Sequence, residues 1–295
     1  MLPTRDGVGP SVITLPVGDW LLIIDFLIER FNAIPRDEWL ARMQTGLVMD
    51  EDAQPVYSDR PYQAHMKVFY YRTVENETPI PFEASILFQD EYLIIADKPH
   101  FLPVMPAGIY LQETLLVRLK RKTGIETLVP MHRIDRETAG LVVFIIKPET
   151  RGAYQSLFLS KQVEKTYQAI APYREDLAFP MIYKSCLRES KNFMQMEAVE
   201  GKSNSETLIE VLEHQDGVAR YQLKPITGKK HQLRAHMAAL GIPILNDLIY
   251  PVHQAADQND YEKPLQLLAQ RIDFIDPITE KLRSFETKRQ LCAVT

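Results

Sequence analysis

Cysteine is scarce. The 295 residues hold two, Cys186 and Cys292, and neither stands at a metal-ligand spacing. That removes a disulfide framework and a cysteine-built metal centre, and it fits free thiols in a reducing cytoplasm. Long apolar runs are missing as well. None approaches the ~20 residues of a membrane-spanning helix. The start, Met1-Leu2-Pro3-Thr4-Arg5-Asp6, has neither the charged opening nor the apolar stretch of a signal peptide. A cytoplasmic protein with no membrane partner is the expectation. Positive charge is not in excess: the net charge is −5. Indiscriminate nucleic-acid binding is therefore disfavoured, although a local basic groove is not. There is no internal repeat, and no Gly-x-Ser-x-Gly elbow of a serine hydrolase.

What is present is a hydrophobic content of 45%, enough for a full core, over a length that suits one large domain or a large and a small one. The chain is organised around residues 130–146. A polar block, His132 to Thr138, sits between two apolar runs. The second run, Ala139 to Ile146, is short, rich in Val and Ile, and closed by Lys147-Pro148. Such a run reads as a buried strand, which makes the polar block a loop carried by the core. Loops on rigid strands are where chemistry commonly sits. One carboxylate, Asp135, lies among His132, Arg133, Arg136 and Glu137. A carboxylate flanked by arginine stays ionised and can serve as nucleophile or base. Taken alone, the same residues also suit a solvated loop with surface ion pairs. A hydrolase pairing His132 with Asp135 is a further reading, and the missing nucleophile motif argues against it.

The whole string, His132-Arg133-Ile134-Asp135-Arg136-Glu137-Thr138-Ala139-Gly140-Leu141-Val142, resembles the His-Arg-Leu-Asp-x-x-Thr-Ser-Gly-Leu-Leu signature of RNA pseudouridine synthases of the RluA type. Ile134 and Ala139 depart from it without removing a reactive group. Other elements of that family follow. Lys165, Tyr167 and Ala169 match its Lys-x-Tyr-x-Ala. Thr227 to Arg234 matches Thr-Gly-Arg-x-His-Gln-x-Arg, with Lys229 in place of the usual Arg. Gly241 to Tyr250 matches Gly-x-Pro-Ile-x-x-Asp-x-x-Tyr, and Asp97-Lys98-Pro99-His100 stands at a Lys-Pro-x-Gly element without its Gly. The likeness covers about residues 84–286. It implies an α+β fold, a mixed and largely antiparallel sheet with flanking helices and a central cleft.

Ahead of this region the periodicity predicts helices over Asp19–Phe31 and Arg36–Gln44, then short strands at Val48, Val56 and Lys67–Val74. The order resembles a small helix-helix-strand RNA-binding module found ahead of these synthases. Through Ile80, however, there are seven Lys and Arg against twelve Asp and Glu. All of the net charge lies there, which suits a degenerate module better than an RNA anchor. Thr78-Pro79-Ile80-Pro81 breaks helix and strand alike, dividing the chain into residues 1–80 and a catalytic domain of residues 81–295. Within the latter a hairpin is expected at residues 86–99 and helices at 114–122, 148–160 and 230–240. A strand is expected at 163–171, a second hairpin around Asp216-Gly217, and strands at 265–274 and 282–285. Residues 172–205 show irregular polar turns with room for one hairpin, and no clearer pattern.

The resemblance implies that uracil is detached from its ribose, turned, and rejoined through carbon. No redox change occurs, so no cofactor and no metal are expected. The partner is structured RNA, ribosomal or transfer, and a monomer is expected. Asp135 is the ionised carboxylate, Arg234 the cation paired with it, and Tyr167 the ring that stacks on the flipped base. Arg133 fills the gap that the base leaves, and Leu233 walls the base pocket. Lys229 and His231 join them on the substrate side, as does His132, hydrogen-bonded to its own loop. Residues 118–122 and 228–234 are candidate phosphate contacts. His231 and His236 lie five apart, off the spacing of zinc-binding helices. The competing reading is an RNA-binding protein of this fold without catalysis, and the retained Asp135, Tyr167 and Arg234 argue against it.

Overall fold

The apolar run after the polar block is a strand, Ala139–Ile145, buried at every position. It belongs to the larger of two units in the computed structural model of the chain, which describes residues 3–74, 77–190, 195–254 and 261–294. One unit comprises Met1–Thr78 with Pro106–Glu126, the other Pro79–Met105 with Thr127–Thr295.

In the first unit, β1 (Ser11–Thr14), α1 (Ile23–Arg30), α2 (Arg36–Gln44), β2 (Val48–Met49) and β3 (Lys67–Tyr70) build a three-stranded antiparallel sheet, order β1-β3-β2, with two helices. Ile23, Ile24 and Leu27 of α1 pack with Trp39 and Met43 of α2 and with Val48 and Val68 of the sheet. The helix expected from Asp19 starts only at Ile23. Leu22 forms a bridge with Pro61, and the Leu21 carbonyl accepts the Tyr62 N–H, so this stretch is held extended. No strand forms around Val56, whose N–H bonds the Val48 carbonyl. A third helix, α3 (Leu115–Thr123), is capped by Thr114 and closed by Gly124 at φ 70°. It belongs to this unit, whereas the sequence reading puts residues 114–122 beyond the linker.

The second unit is one twisted sheet with two helices. Its strands are β4 (Ser85–Gln89), β5 (Leu93–Lys98), β6 (Val129–Pro130), β7 (Ala139–Ile145), β8 (Glu164–Pro172), β9 (Met181–Glu189), β10 (Met196–Val199), β11 (Ser205–Gln215), β12 (Val218–Pro225), β13 (Leu267–Ile275) and β14 (Leu282–Glu286). They run in the order β10-β9-β11-β12-β8-β13-β7-β5-β4, with β6 on β7 and β14 on β13. Among the described residues every pair is antiparallel except β7 with β13. At that parallel pair a Cβ on Gly140 (φ 110°) would lie 2.2 Å from the Ala269 carbonyl oxygen. The glycine of the signature therefore marks a backbone approach that no side chain fits.

Helix α4 (Arg151–Leu159) follows a 3₁₀ turn at Pro148–Thr150, and α5 (Gln232–Ala239) starts two residues late because His231 is left-handed, φ 51°. The hairpin β11–β12 turns at Asp216 and Gly217, both at positive φ. The stretch of irregular turns, 172–205, supplies β9 and β10, paired antiparallel as a hairpin there would be.

Candidate active site

A buried guanidinium must have partners, and Arg234, 1% exposed in its side chain, has them at each of its nitrogens. Nε donates to Asp247 Oδ2 at 2.7 Å and Nη2 to Asp247 Oδ1 at 2.7 Å. The remaining nitrogen, Nη1, donates to Asp135 Oδ2 at 3.1 Å and lies 4.0 Å from Glu137 Oε2. Asp247 is itself fixed by the turn after α5, since its Oδ1 also accepts the N–H groups of Ile249 and Tyr250. The two carboxylates differ in access. The Asp247 side chain is 0% exposed and that of Asp135 is 26% exposed. One is the anchor, the other the open end. Burial works against the arginine's charge, but the bonds and charge of Asp247, then the charges of Asp135 and Glu137, hold it above the ordinary arginine range.

Helix α5 is pinned from behind. Gln232 donates to Thr207 Oγ1 and the Glu206 carbonyl, and its Oε1 accepts from Thr227 Oγ1 and the Lys229 N–H. Four residues on, buried His236 shares hydrogen bonds with Ser185, Ser205 and Thr207. Burial pushes His236 down to about 4, so it is neutral at pH 7. Residues four apart share a helix face, and Arg234, between them, projects from the opposite one.

The loop that carries Asp135 is held by β5 and β7. Lys98, fully buried, donates to the carbonyls of Pro99 (3.0 Å), Leu102 (2.8 Å) and Arg136 (2.9 Å). Burial pushes this lysine down to about 7, opposed by Glu137 and Asp135. His100 Nδ1 donates to the Glu137 carbonyl at 2.6 Å, and the Asp135 carbonyl accepts the Thr138 N–H.

The other expected residues fall into two groups. Tyr167, on β8, is half-buried and packs in the same cluster as Leu233. Burial, and then the charge of Asp135, push its phenol up, so it is protonated. His231 has Nε2 3.8 Å from Asp135 Oδ1. The Tyr250 hydroxyl accepts the Met196 N–H and lies 3.3 Å from His231 Nδ1, which leaves the Nε2 proton facing Asp135. Burial pushes His231 down, so the contact is not an ion pair at neutral pH. His231 and Arg234 thus lie against Asp135, whose charge also reaches Tyr167.

The remaining three do not converge. Arg133 is exposed, with Nη1 3.9 Å from Met105 Sδ. Lys229 is exposed, and its backbone rather than its side chain is engaged. His132 accepts the Val143 N–H at Nε2 and stacks on Phe158, and burial with the charge of Lys165 pushes it down to about 3. Its Nε2 lone pair is committed to β7. Sequence reasoning gave no role to Asp247, Tyr250 or Lys98. All three stand in the quoted motifs, but only the fold joins 247 to 234 or 98 to 136.

Comparison with known proteins shows the family of the chain. The RNA pseudouridylate synthase family model matches residues 92–239, half of the chain. The dual-specificity RNA pseudouridine synthase RluA of Haemophilus influenzae is 32% identical over 223 residues, covering 73% of this chain and 97% of that protein. The tRNA pseudouridine(31) synthase of Saccharomyces cerevisiae is 28% identical over 280 residues, covering 80% and 69%. Human RNA pseudouridylate synthase domain containing 4 superposes with a TM-score of 0.52 at 26% identity, over 71% of this chain and 88% of that one. On the family match and the near-complete coverage of the Haemophilus relative, this chain belongs to the RNA pseudouridylate synthase family, of the RluA type.

Proposed function

We propose that the site around Asp135 is where this chain isomerises a uridine of structured RNA to pseudouridine. The reaction breaks the bond from ribose C1′ to uracil N1 and makes one from C1′ to C5. N1 gains a proton and C5 gives one up, so nothing is oxidised or reduced. The observation that carries the reading is the chain Asp247–Arg234–Asp135, in which a buried carboxylate fixes the fork of an arginine and the arginine presents a cation to an accessible carboxylate. Asp135 is the reacting anion. Both routes open to it, attack at C1′ and abstraction of a ribose proton, need the ionised form. Arg234 stabilises that form in a partly desolvated site.

Tyr167 receives the uracil face, and Leu233 beside it completes the apolar wall. A phenol pushed up by burial suits stacking and hydrogen-bond donation rather than service as a phenolate base. Exposed Arg133, two residues before Asp135, occupies the vacancy in the RNA. Lys229 and His231 flank the entering strand. His132 holds the loop to β7.

The substrate proposed is transfer or ribosomal RNA. Transfer RNA is the first to test, because the yeast relative is named for it. RNA carrying tritium at uridine C5 separates the readings. An isomerase releases tritium and no free uracil, a hydrolase releases uracil, and a non-catalytic RNA-binding protein releases neither. Tritium release without free uracil is expected, and either other result contradicts the proposal.

A further inference from the structure

Strand β8 sends successive side chains to opposite faces of the sheet. Lys165 and Tyr167 share one face, two residues and about 7 Å apart. Lys165 is therefore the cation next to the ring proposed to hold the uracil. Its Nζ lies 5.5 Å from the centroid of Phe158, and a Cβ on Gly228 would lie 3.8 Å from it. A longer side chain at 228 would cover the ammonium, and glycine leaves it open. The Phe158 ring fixes the head without neutralising it.

This lysine differs from the other described lysines that are not exposed, Lys98, Lys120 and Lys147, in having neither an anion nor a carbonyl partner. Lys147, Lys184, Lys224 and Lys230 each pair with a glutamate, and Lys98 has three carbonyls. Lys165 is half-buried, yet among the described residues it has no carboxylate or carbonyl partner. A desolvated ammonium without a counter-ion is unfavourable, and burial pushes its pKa down. An exposed, unpaired lysine would need no explanation. A half-buried one on the substrate face is suited to take its counter-charge from the substrate.

We infer that Lys165 binds an RNA phosphate flanking the flipped uridine and so positions the nucleotide on Tyr167. The inference rests on the reading of the Asp135 site given above. A strand with its base on Tyr167 brings a phosphodiester within reach of a cation one side-chain step along β8, and a phosphate is the anion that RNA supplies.

The test is the salt dependence of RNA binding by wild type, Lys165→Met and Lys165→Arg, with thermal unfolding of each as the check on folding. One phosphate contact to single-stranded RNA contributes about 0.7 to the slope of log affinity against log salt. The wild-type advantage over Lys165→Met is therefore expected to shrink about fivefold for each tenfold rise in salt, and Lys165→Arg to restore the wild-type slope. Should Lys165→Met fail to fold, Lys165→Gln gives the same comparison. A slope equal to wild type in the folded neutral variant overturns the assignment, whatever its effect on rate. Asp135→Asn, assayed on the same RNA, separates the two levels. Turnover by that variant means the reading of the site has failed. An inactive Asp135→Asn beside an unchanged Lys165→Met slope means that only the phosphate contact has.

Discussion

Arg234 spends two of its three nitrogens on Asp247 and one on Asp135. This division has consequences that pairing with Asp135 alone would not. A lysine at 234 cannot make the two parallel bonds to Asp247 and still reach Asp135, because it is a point charge without a fork. Arg234→Lys is thus expected to lose activity nearly as fully as Arg234→Met, and a single-turnover assay checks it. Asp247→Asn leaves Asp135 untouched but lets the guanidinium drift. A displacement on the order of 1 Å can cost about 100-fold in rate, so this variant should be slower by that order with RNA affinity kept. Removing either partner of the buried Arg234–Asp247 pair should also cost about 3–5 kcal/mol of stability in denaturant unfolding. Asp135, Arg234 and Tyr167 were legible because each sits in a string of matching residues. Asp247 stands in such a string too, yet nothing local ties it to an arginine thirteen positions back.

At the scale of elements, Gly140 and α5 decide most. Gly140→Ala would set a methyl against the β13 backbone at a positive φ. Strain of about 1–2 kcal/mol and overpacking of about 1–3 kcal/mol together predict a loss of about 2–5 kcal/mol, read from chemical denaturation. The hold on α5 should depend on pH. The folded pKa of His236, about 4, lies below its ordinary 6.5. On acidification the unfolded chain takes the proton first. The stabilisation is complete above pH 6.5 and is lost as the pH falls towards 4, on the order of 2 kcal/mol by pH 5. His236→Gln should flatten that part of the stability profile, and an unchanged slope would remove His236 as its source. Elements with strong local punctuation were readable: α2 keeps its expected bounds, and Asp216-Gly217 turns a hairpin. The shorter α1 was not, because pairing of residues 21–23 with 60–62 overrides a helical stripe. Of β9 and β10 only a hairpin somewhere in 172–205 was legible, since the alternation of β9 stops after five residues and β10 is four residues long.

For the whole molecule, charge and sheet order matter most. The acidic balance lies in the residues up to 80, so attraction to RNA must come from local basic patches beyond that segment, and the net charge opposes approach. Replacing exposed Asp37, Glu51, Asp52 and Asp59 by their amides should speed RNA association at low salt. The gain should vanish near 1 M salt, where screening acts within about 3 Å. Stopped-flow association across a salt series reads this. Sheet order explains why candidate residues could be singled out from sequence but not brought together from it. Asp135 enters on β7, Tyr167 on β8 and Arg234 after β12, and β7 and β8 both border β13. No local signal encodes that adjacency. The central claim is that an ionised Asp135 does the chemistry. The direct measurement is single-turnover pseudouridine formation by purified Asp135→Asn, with RNA affinity measured on the same preparation. Affinity close to wild type with no pseudouridine above background is the predicted result. Pseudouridine formed at a rate near that of wild type would contradict the account.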